Sequence, residues 1–339
     1  MTAQQRILVS GAGGFIGNAL VTYLKERDYW VRGVDLKFPE YSETDADEFE
    51  IVDLRRWDDC VAATEGIDEV YALAADMGGM GFISTHHAEI LHNNALINIY
   101  TLEAARHNGV QRYLYTSSAC VYPEYLQVDA DVTPLKEEDA YPAQPQDAYG
   151  WEKLISEILC RYYTQDYGVE TRTVRFHNIF GPLGTWDGGR EKAPAALCRK
   201  IATAKLTGNP EVEVWGDGEQ TRSFCYIDDC VEGIYRLMRS DYREPLNLGQ
   251  DRMVSINELA DLIAEIAEIP IVKKHVPGPQ GVRGRNSDNT RLREVLDWEP
   301  RIPLEEGLGR TYAWIEDQVR QSLYENQELS PRELVGVGA

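Results

Sequence analysis

Near the start of the chain, Gly11-Ala12-Gly13-Gly14-Phe15-Ile16-Gly17 follows the apolar run Ile7-Leu8-Val9 and leads into a stretch with helical periodicity. A strand, a tight glycine turn and a helix in that order admit few folds. In this G-x-x-G-x-x-G spacing, Gly11 permits the turn, Gly14 lets the backbone come close to a ligand, and Gly17 allows helix and strand to pack closely. Phe15 and Ile16 open the helix, whose free N–H groups favour an anion. The pattern predicts a dinucleotide pyrophosphate at this turn.

The periodicity beyond the turn predicts strands over 7–9, 31–34, 49–52, 70–73, 113–116 and 171–176. Helices are expected between them over 15–26, 58–64, 88–107 and 150–167. Repeated strand–helix units of this kind make an α/β protein with a Rossmann-type, doubly wound parallel sheet. After residue 176 the regularity fades. A helix is expected over 195–205, a strand over 212–215, an element over 224–227 with a helix over 229–238 that returns to the first domain, and helices over 256–268 and 304–316. The reading is a nucleotide-binding domain of residues 1–176 with parts of 218–250, and a smaller interleaved domain of 177–217 and 251–325. A polar tail covers 326–339.

With 34 basic and 56 acidic residues the chain carries a net charge of −22, which disfavours nucleic acid and anionic membranes as partners. A small phosphorylated ligand remains compatible, and Arg190, Lys192, Arg199, Lys200, Arg222, Arg283 and Arg285 are the cations available to cluster around one. The six cysteines form no C-x-x-C and no histidine pair has zinc spacing, so no metal is expected. No signal peptide or long apolar span is legible, and a reduced, cytoplasmic location is the expectation.

Asp35 ends the second predicted strand, where a carboxylate can accept from the adenosine ribose hydroxyls and repel a 2′-phosphate; NAD is therefore favoured over NADP. Asp53 and Leu54, after the third strand, are placed to edge the adenine. Tyr149 and Lys153 lie four apart on a predicted helix and share a face. A phenol beside an ammonium suits proton removal from a carbinol while its hydride leaves, and Ser118 can hold the same hydroxyl. Cys120 and Lys192 are a second pair, suited to moving protons at carbons beside the resulting ketone. Taken together, the two pairs make oxidation a means to epimerisation. An epimerase acting only at the carbinol carbon would need no second pair, and a dehydratase, which acidic residues near Ser118 would serve, fits less well. A non-catalytic dinucleotide sensor would be expected to lack Tyr149 or Lys153.

These motifs, with Ala74-Ala75-Asp76-Met77-Gly78-Gly79-Met80-Gly81-Phe82, Arg175-Phe176-His177-Asn178, residues 188–196, Gln220-Thr221-Arg222-Ser223-Phe224 and residues 282–289, resemble a family. It is that of the extended short-chain dehydrogenase/reductases, and within it the NAD-dependent nucleotide-sugar epimerases that invert GDP-mannose at C3 and C5. The resemblance spans about residues 6–320. It implies redox roles for Tyr149 and Lys153, acid/base roles for Cys120 and Lys192, and Ala74 beside the cofactor. Gly78, Met80, Gly81, Ser118 and Ala119 would line the sugar site. Asn178, Glu191, Ala193, Lys200, Gln220, Arg222 and Arg285 would hold the GDP-sugar. It implies a homodimer too. A GDP-heptose would suit the same machinery.

Overall fold

The computed structural model describes residues 4–325; the tail predicted over 326–339 lies outside the described residues. Seven parallel strands form the central sheet. In chain order they are β1 (Arg6–Ser10), β2 (Trp30–Asp35), β3 (Glu48–Ile51), β4 (Glu69–Ala72), β5 (Arg112–Ser118), β6 (Glu170–Phe176) and a short strand at Leu246–Leu248. Across the sheet the order is Leu246–Leu248, β6, β5, β4, β1, β2, β3, the doubly wound arrangement expected. The seventh strand was not anticipated, because three residues carry no readable periodicity.

Both faces of the sheet are covered, and alternate residues of each strand enter different cores. Leu8, Val34, Val70, Tyr113 and Tyr115 pack in a cluster with α2 (Trp57–Thr64) and α4 (His87–His107). Ile7, Val9, Val31, Tyr71, Leu114 and Val174 face the other way, toward α1 (Phe15–Lys25) and the helix Ile227–Arg239. That helix packs on the sheet, where Tyr235 meets Tyr23 and Tyr29. The second core is continuous with the C-terminal part through Leu197 and Ile201 of α6 (Ala193–Thr207), Leu259 and Ile263 of Ile256–Ala267, and Leu308 and Ile315 of Leu304–Glu325. This last helix runs nine residues further than its predicted end at 316.

Three elements position the candidate site residues. Helix α5 (Ala148–Tyr167) starts at Asp147, whose side chain accepts the Gly150 N–H at 2.9 Å, and ends at Gly168 in the left-handed conformation (φ 74°). Strand β5 ends in Ser118, followed by a single 3-10 turn at Ala119–Val121. A third element is the short helix α3 (Met80–Ile83), which begins at Gly79. Three strand pieces that sequence periodicity missed, Met253–Ser255, Thr221–Ser223 and Gly284–Arg285, form a small sheet facing the carboxyl end of β5.

Candidate active site

At the glycine turn the backbone leaves no room for side chains. Gly11 has φ +73°, and a Cβ there would stand 2.8 Å from the Ala74 nitrogen; a Cβ on Gly17 would stand 2.0 Å from the Gly11 oxygen. Gly13, given no role by the sequence reading, is as constrained, since its Cβ would meet the Lys37 oxygen at 2.1 Å. Gly14 is exposed and caps α1 with no side-chain capping bond and no acidic residue in the first turn. Phe15 and Ile16, partly exposed, form that turn. An open, uncapped helix N-terminus against a glycine cradle fits a dinucleotide pyrophosphate.

Asp35 closes the far side of this turn. Its carboxylate accepts from Gly13 N–H at 2.9 Å and Leu36 N–H at 2.6 Å, and burial raises its pKa against the pull of those bonds. Asp53 is engaged by Arg55 at 2.7 Å, and that pairing lowers its pKa. Leu54 is buried in the α2–α4 core. Ala74 donates its N–H to Ser10 Oγ at 3.3 Å and lines the turn opposite Gly11.

Tyr149 and Lys153 lie on one face of α5, as their spacing predicts, and both are buried. Lys153 donates to the Thr116 carbonyl at 3.0 Å, and its Nζ lies 5.5 Å from the Tyr149 ring centroid. Burial drives the Tyr149 pKa up, with Cys120 and Glu152 adding to the rise and Ser118 opposing it. Burial also lowers the Lys153 pKa.

Cys120 lies in the 3-10 turn directly above this helix. Its N–H donates to Ser118 Oγ at 3.2 Å. A Cβ on Gly150 would stand 2.2 Å from the Cys120 oxygen, so α5 and the cysteine turn touch backbone to backbone. The Sγ accepts from Arg285 Nη1 at 3.3 Å. Lys192 caps α6 and is close enough to feel Cys120, which opposes the lowering of its pKa by burial. Arg222 lies in the same field, its pKa lowered to about 9 by burial and by Arg285 and raised by Cys120.

The expected cation cluster divides by partner. Arg199 pairs with Glu191 and Asp187, Arg283 with Asp217, and Arg190 with Asp76. Lys192, Lys200, Arg222 and Arg285 make no ion pair among the described residues. Arg222 instead donates to the Thr221 and Val282 carbonyls, both at 2.7 Å, and Lys200 to the Glu213 carbonyl at 2.8 Å. Lys192, Arg222 and Arg285, cations without an ion-pair partner among the described residues near Cys120, suit an anionic ligand.

Several residues expected to bind the nucleotide sugar make bonds within the protein. Glu191 accepts from Arg199 at 2.8 Å and from Gly189 N–H at 2.7 Å. Gly79 N–H donates to the Arg190 carbonyl at 2.9 Å, and its Cβ would meet the Glu191 oxygen at 2.5 Å. Gly78 through Gly81 therefore lies against the strand of chain that carries Lys192 and Ala193. Met80 touches the Gly281 loop beside Arg222. Asn178, at φ 50°, donates to the Ser223 carbonyl at 2.9 Å. Gln220 donates to the Trp215 carbonyl at 3.2 Å, while its Oε1 is buried with no partner among the described residues. Ala119 is buried in a third small core with Val121 and Tyr122.

Three supporting residues escaped the sequence reading. Gly150 lets α5 meet Cys120. Glu157 accepts from Ser117 Oγ and is bound by Arg175 at 2.9 and 2.7 Å, which braces the end of β5 from behind. Gln127 anchors Arg285. Glu157 and Gln127 stand in no recognisable motif; Gly150 lies inside the Tyr149–Lys153 motif, which gives it no role of its own. Among the described residues no helix is long and apolar enough to cross a membrane, and no group of His, Cys, Asp and Glu could hold a metal ion.

A doubly wound sheet with a glycine cradle and a Tyr/Lys pair at the carboxyl ends of its strands defines a nucleotide-dependent short-chain enzyme class, and residues 7–249 match the model of the NAD dependent epimerase/dehydratase family. The chain belongs to that family. It is 52% identical over 327 residues to GDP-mannose 3,5-epimerase 1 of Oryza sativa subsp. japonica, covering 96% of this chain and 85% of that one. To the GDP-mannose 3,5-epimerase of Arabidopsis thaliana it is 51% identical, over 96% of this chain and 86% of the other. Among solved structures, a UDP-glucose 4-epimerase of Thermotoga maritima superposes with a TM-score of 0.80 at 27% identity, covering 93% of this chain and all of that one.

Proposed function

We propose that this chain epimerises GDP-mannose at C3 and C5 to GDP-L-galactose, with GDP-L-gulose formed by inversion at C5 alone, through a transient C4 ketone. The observation that carries this reading is the second pair. Cys120, with Arg285 on its sulfur, touches the Tyr149–Lys153 helix backbone to backbone, and Lys192, which makes no ion pair among the described residues, lies within electrostatic reach of Cys120. A 4-epimerase would need only Tyr149 and Lys153. The names of the rice and Arabidopsis relatives point to the same substrate.

Gly11, Gly14, Phe15, Ile16, Gly17 and Ala74 would hold NAD at the turn, Asp35 its ribose, and Asp53 and Leu54 would flank the adenine. When bound, NAD supplies hydride acceptance and return at C4. Tyr149 takes the C4 hydroxyl proton, with Ser118 holding that oxygen and Lys153 lending positive charge. A ketone at C4 acidifies the protons on C3 and C5. Cys120 and Lys192 then act as the two ends of a proton exchange, one removing a proton from a face and the other returning one to the opposite face. Burial lowers the Lys192 ammonium pKa, which brings it toward the range where a lysine both gives and takes a proton.

Lys200, Arg222, Asn178, Glu191, Ala193, Gln220 and Arg285 would hold the GDP, and Gly78, Met80, Gly81 and Ala119 the sugar. Residues 1–176 with parts of 218–250 thus serve the cofactor, and 177–217 with 251–325 the nucleotide sugar. A reducing compartment such as the cytoplasm suits the Cys120 thiol.

We further propose a homodimer through the packed pair α4 and α5. Leu91, Ile99, Trp151, Ile155 and Tyr162 leave an exposed apolar row on these two helices. Ile155→Glu should then shift the sedimentation coefficient to that of a monomer.

Incubation with GDP-mannose and catalytic NAD in deuterated water, followed by NMR of the sugar, tests the reaction. Deuterium at C3 and C5 with hydrogen retained at C4 is the expected result. Inversion at C4 without solvent deuterium would make this a 4-epimerase, and no exchange would remove GDP-mannose as the substrate.

A further inference from the structure

Gln127 lies between the two strands of chain that meet at the cysteine. It is 1% exposed. Its Nε2 donates to the Tyr122 and Pro123 carbonyls, both at 3.1 Å, which ties it to the turn just beyond Cys120. Its backbone oxygen accepts from the Arg283 and Gly284 N–H groups at 2.9 and 3.3 Å, and so ties it to the piece of sheet that carries Arg285. Its Oε1 accepts from Arg285 Nε at 2.6 Å. Every polar atom of the side chain is therefore engaged, and the Arg285 guanidinium is held by its inner nitrogen with an outer one, Nη1, directed at Cys120 Sγ.

The choice of an amide has a physical consequence. A buried arginine is normally paired with a carboxylate. Arg285, 9% exposed, makes no ion pair among the described residues. A glutamate would fill the space of Gln127 and hold Nε equally well, yet it would cancel much of the positive charge felt at the sulfur. The neutral amide fixes the geometry and leaves the charge. A cation fixed against a sulfur favours thiolate over thiol.

We propose that Gln127 is a positioning residue that aims an un-neutralised Arg285 at Cys120, so that the sulfur can carry negative charge during proton exchange. The catalytic meaning of this arrangement rests on the proton-transfer role given to Cys120 above. The other charged or titratable groups in the field of Cys120 are Arg222, Lys192, Tyr149 and Lys153. Arg285 alone among them donates a hydrogen bond to the sulfur.

The test needs neither sugar nor nucleotide. The other five cysteines are buried, so the pH dependence of iodoacetamide alkylation at Cys120, read by mass spectrometry of the intact chain, reports its thiolate. Gln127→Glu should move the alkylation midpoint up by about one pH unit, equivalent to about tenfold slower alkylation at a pH below the midpoint. Gln127→Met, which removes the anchor without adding charge, should move it the same way by a smaller amount. In an Arg285→Gln background Gln127→Met should change nothing further. Should Gln127→Glu fail to fold, as judged by its thermal melt, the comparison of Gln127→Met with and without Arg285 decides the matter. The proposal is overturned if both Gln127 variants keep the parent midpoint, or if Gln127→Met shifts it equally when Arg285 is absent. A midpoint shift in an enzyme that exchanges no deuterium into GDP-mannose would uphold the positioning role and refute the substrate reading.

Discussion

The two residue pairs to which acid/base roles are proposed, one for redox and one for proton exchange, are built in opposite ways. Tyr149 and Lys153 are one helical turn apart on α5, and Lys153 is fastened to the Thr116 carbonyl of the neighbouring strand. Cys120 and Lys192 come from separate elements, a 3-10 turn after β5 and the cap of α6. They are held by groups outside the central sheet: Arg285 and Gln127 on one side, and the Glu191–Arg199 pair that braces the loop before Lys192 on the other. The redox pair inherits its geometry from helix periodicity. The proton-exchange pair has no such local guarantee, and its precision depends on packing between segments distant in sequence.

Substitutions can break the comparison. The largest effect is expected for Tyr149→Phe, because the helix-borne pair precedes everything else. All product formation and all solvent deuterium uptake should fall by about 10²–10⁴-fold, and appreciable turnover in that variant would contradict the redox role. Cys120→Ser should separate the pairs. Deuterium exchange at C3 and C5 is expected to drop by at least about 10²-fold, while slow C4 oxidation, followed by the absorbance of reduced nicotinamide, persists; unchanged epimerisation would remove Cys120 from the proton path. The smallest effect, and the sharpest probe of the joint between the pairs, is Gly150→Ala. The added methyl would meet the Cys120 backbone and must push the turn away from α5. We expect a stability loss of about 1–3 kcal/mol by urea unfolding and a modest decline in both steps. An unaltered stability would show that the contact between α5 and the cysteine turn is not close-packed.

Much of this was legible before any coordinates. The strand–turn–helix at Gly11–Gly17 and the alternating elements lead directly to the doubly wound sheet, because each strand buried on both faces and each amphipathic helix leaves its own period in the sequence. Tyr149 and Lys153 were readable for the same reason. Cys120 and Lys192 were picked out by their motifs, though nothing in their spacing says that they meet. The cation cluster was only half legible. The sequence lists Arg190, Arg199 and Arg283 alongside Lys192, Arg222 and Arg285, and only the fold hands the first three to Asp76, Glu191 and Asp217. The depth at which Tyr149 is buried, which raises its pKa in the protein alone, was not legible because burial is a tertiary quantity.

The order of amino acids thus speaks for what is local: where helices and strands run, the glycine turn and the pair one helical turn apart. Folding adds which charges lack an ion-pair partner among the described residues, how deeply the phenol and ammonium groups are buried, and that Gln127, Gly150 and Glu157 support the candidate site. These properties depend on contacts between residues far apart in the chain, and on how far those contacts exclude water. Neither leaves a periodic trace in the order of amino acids.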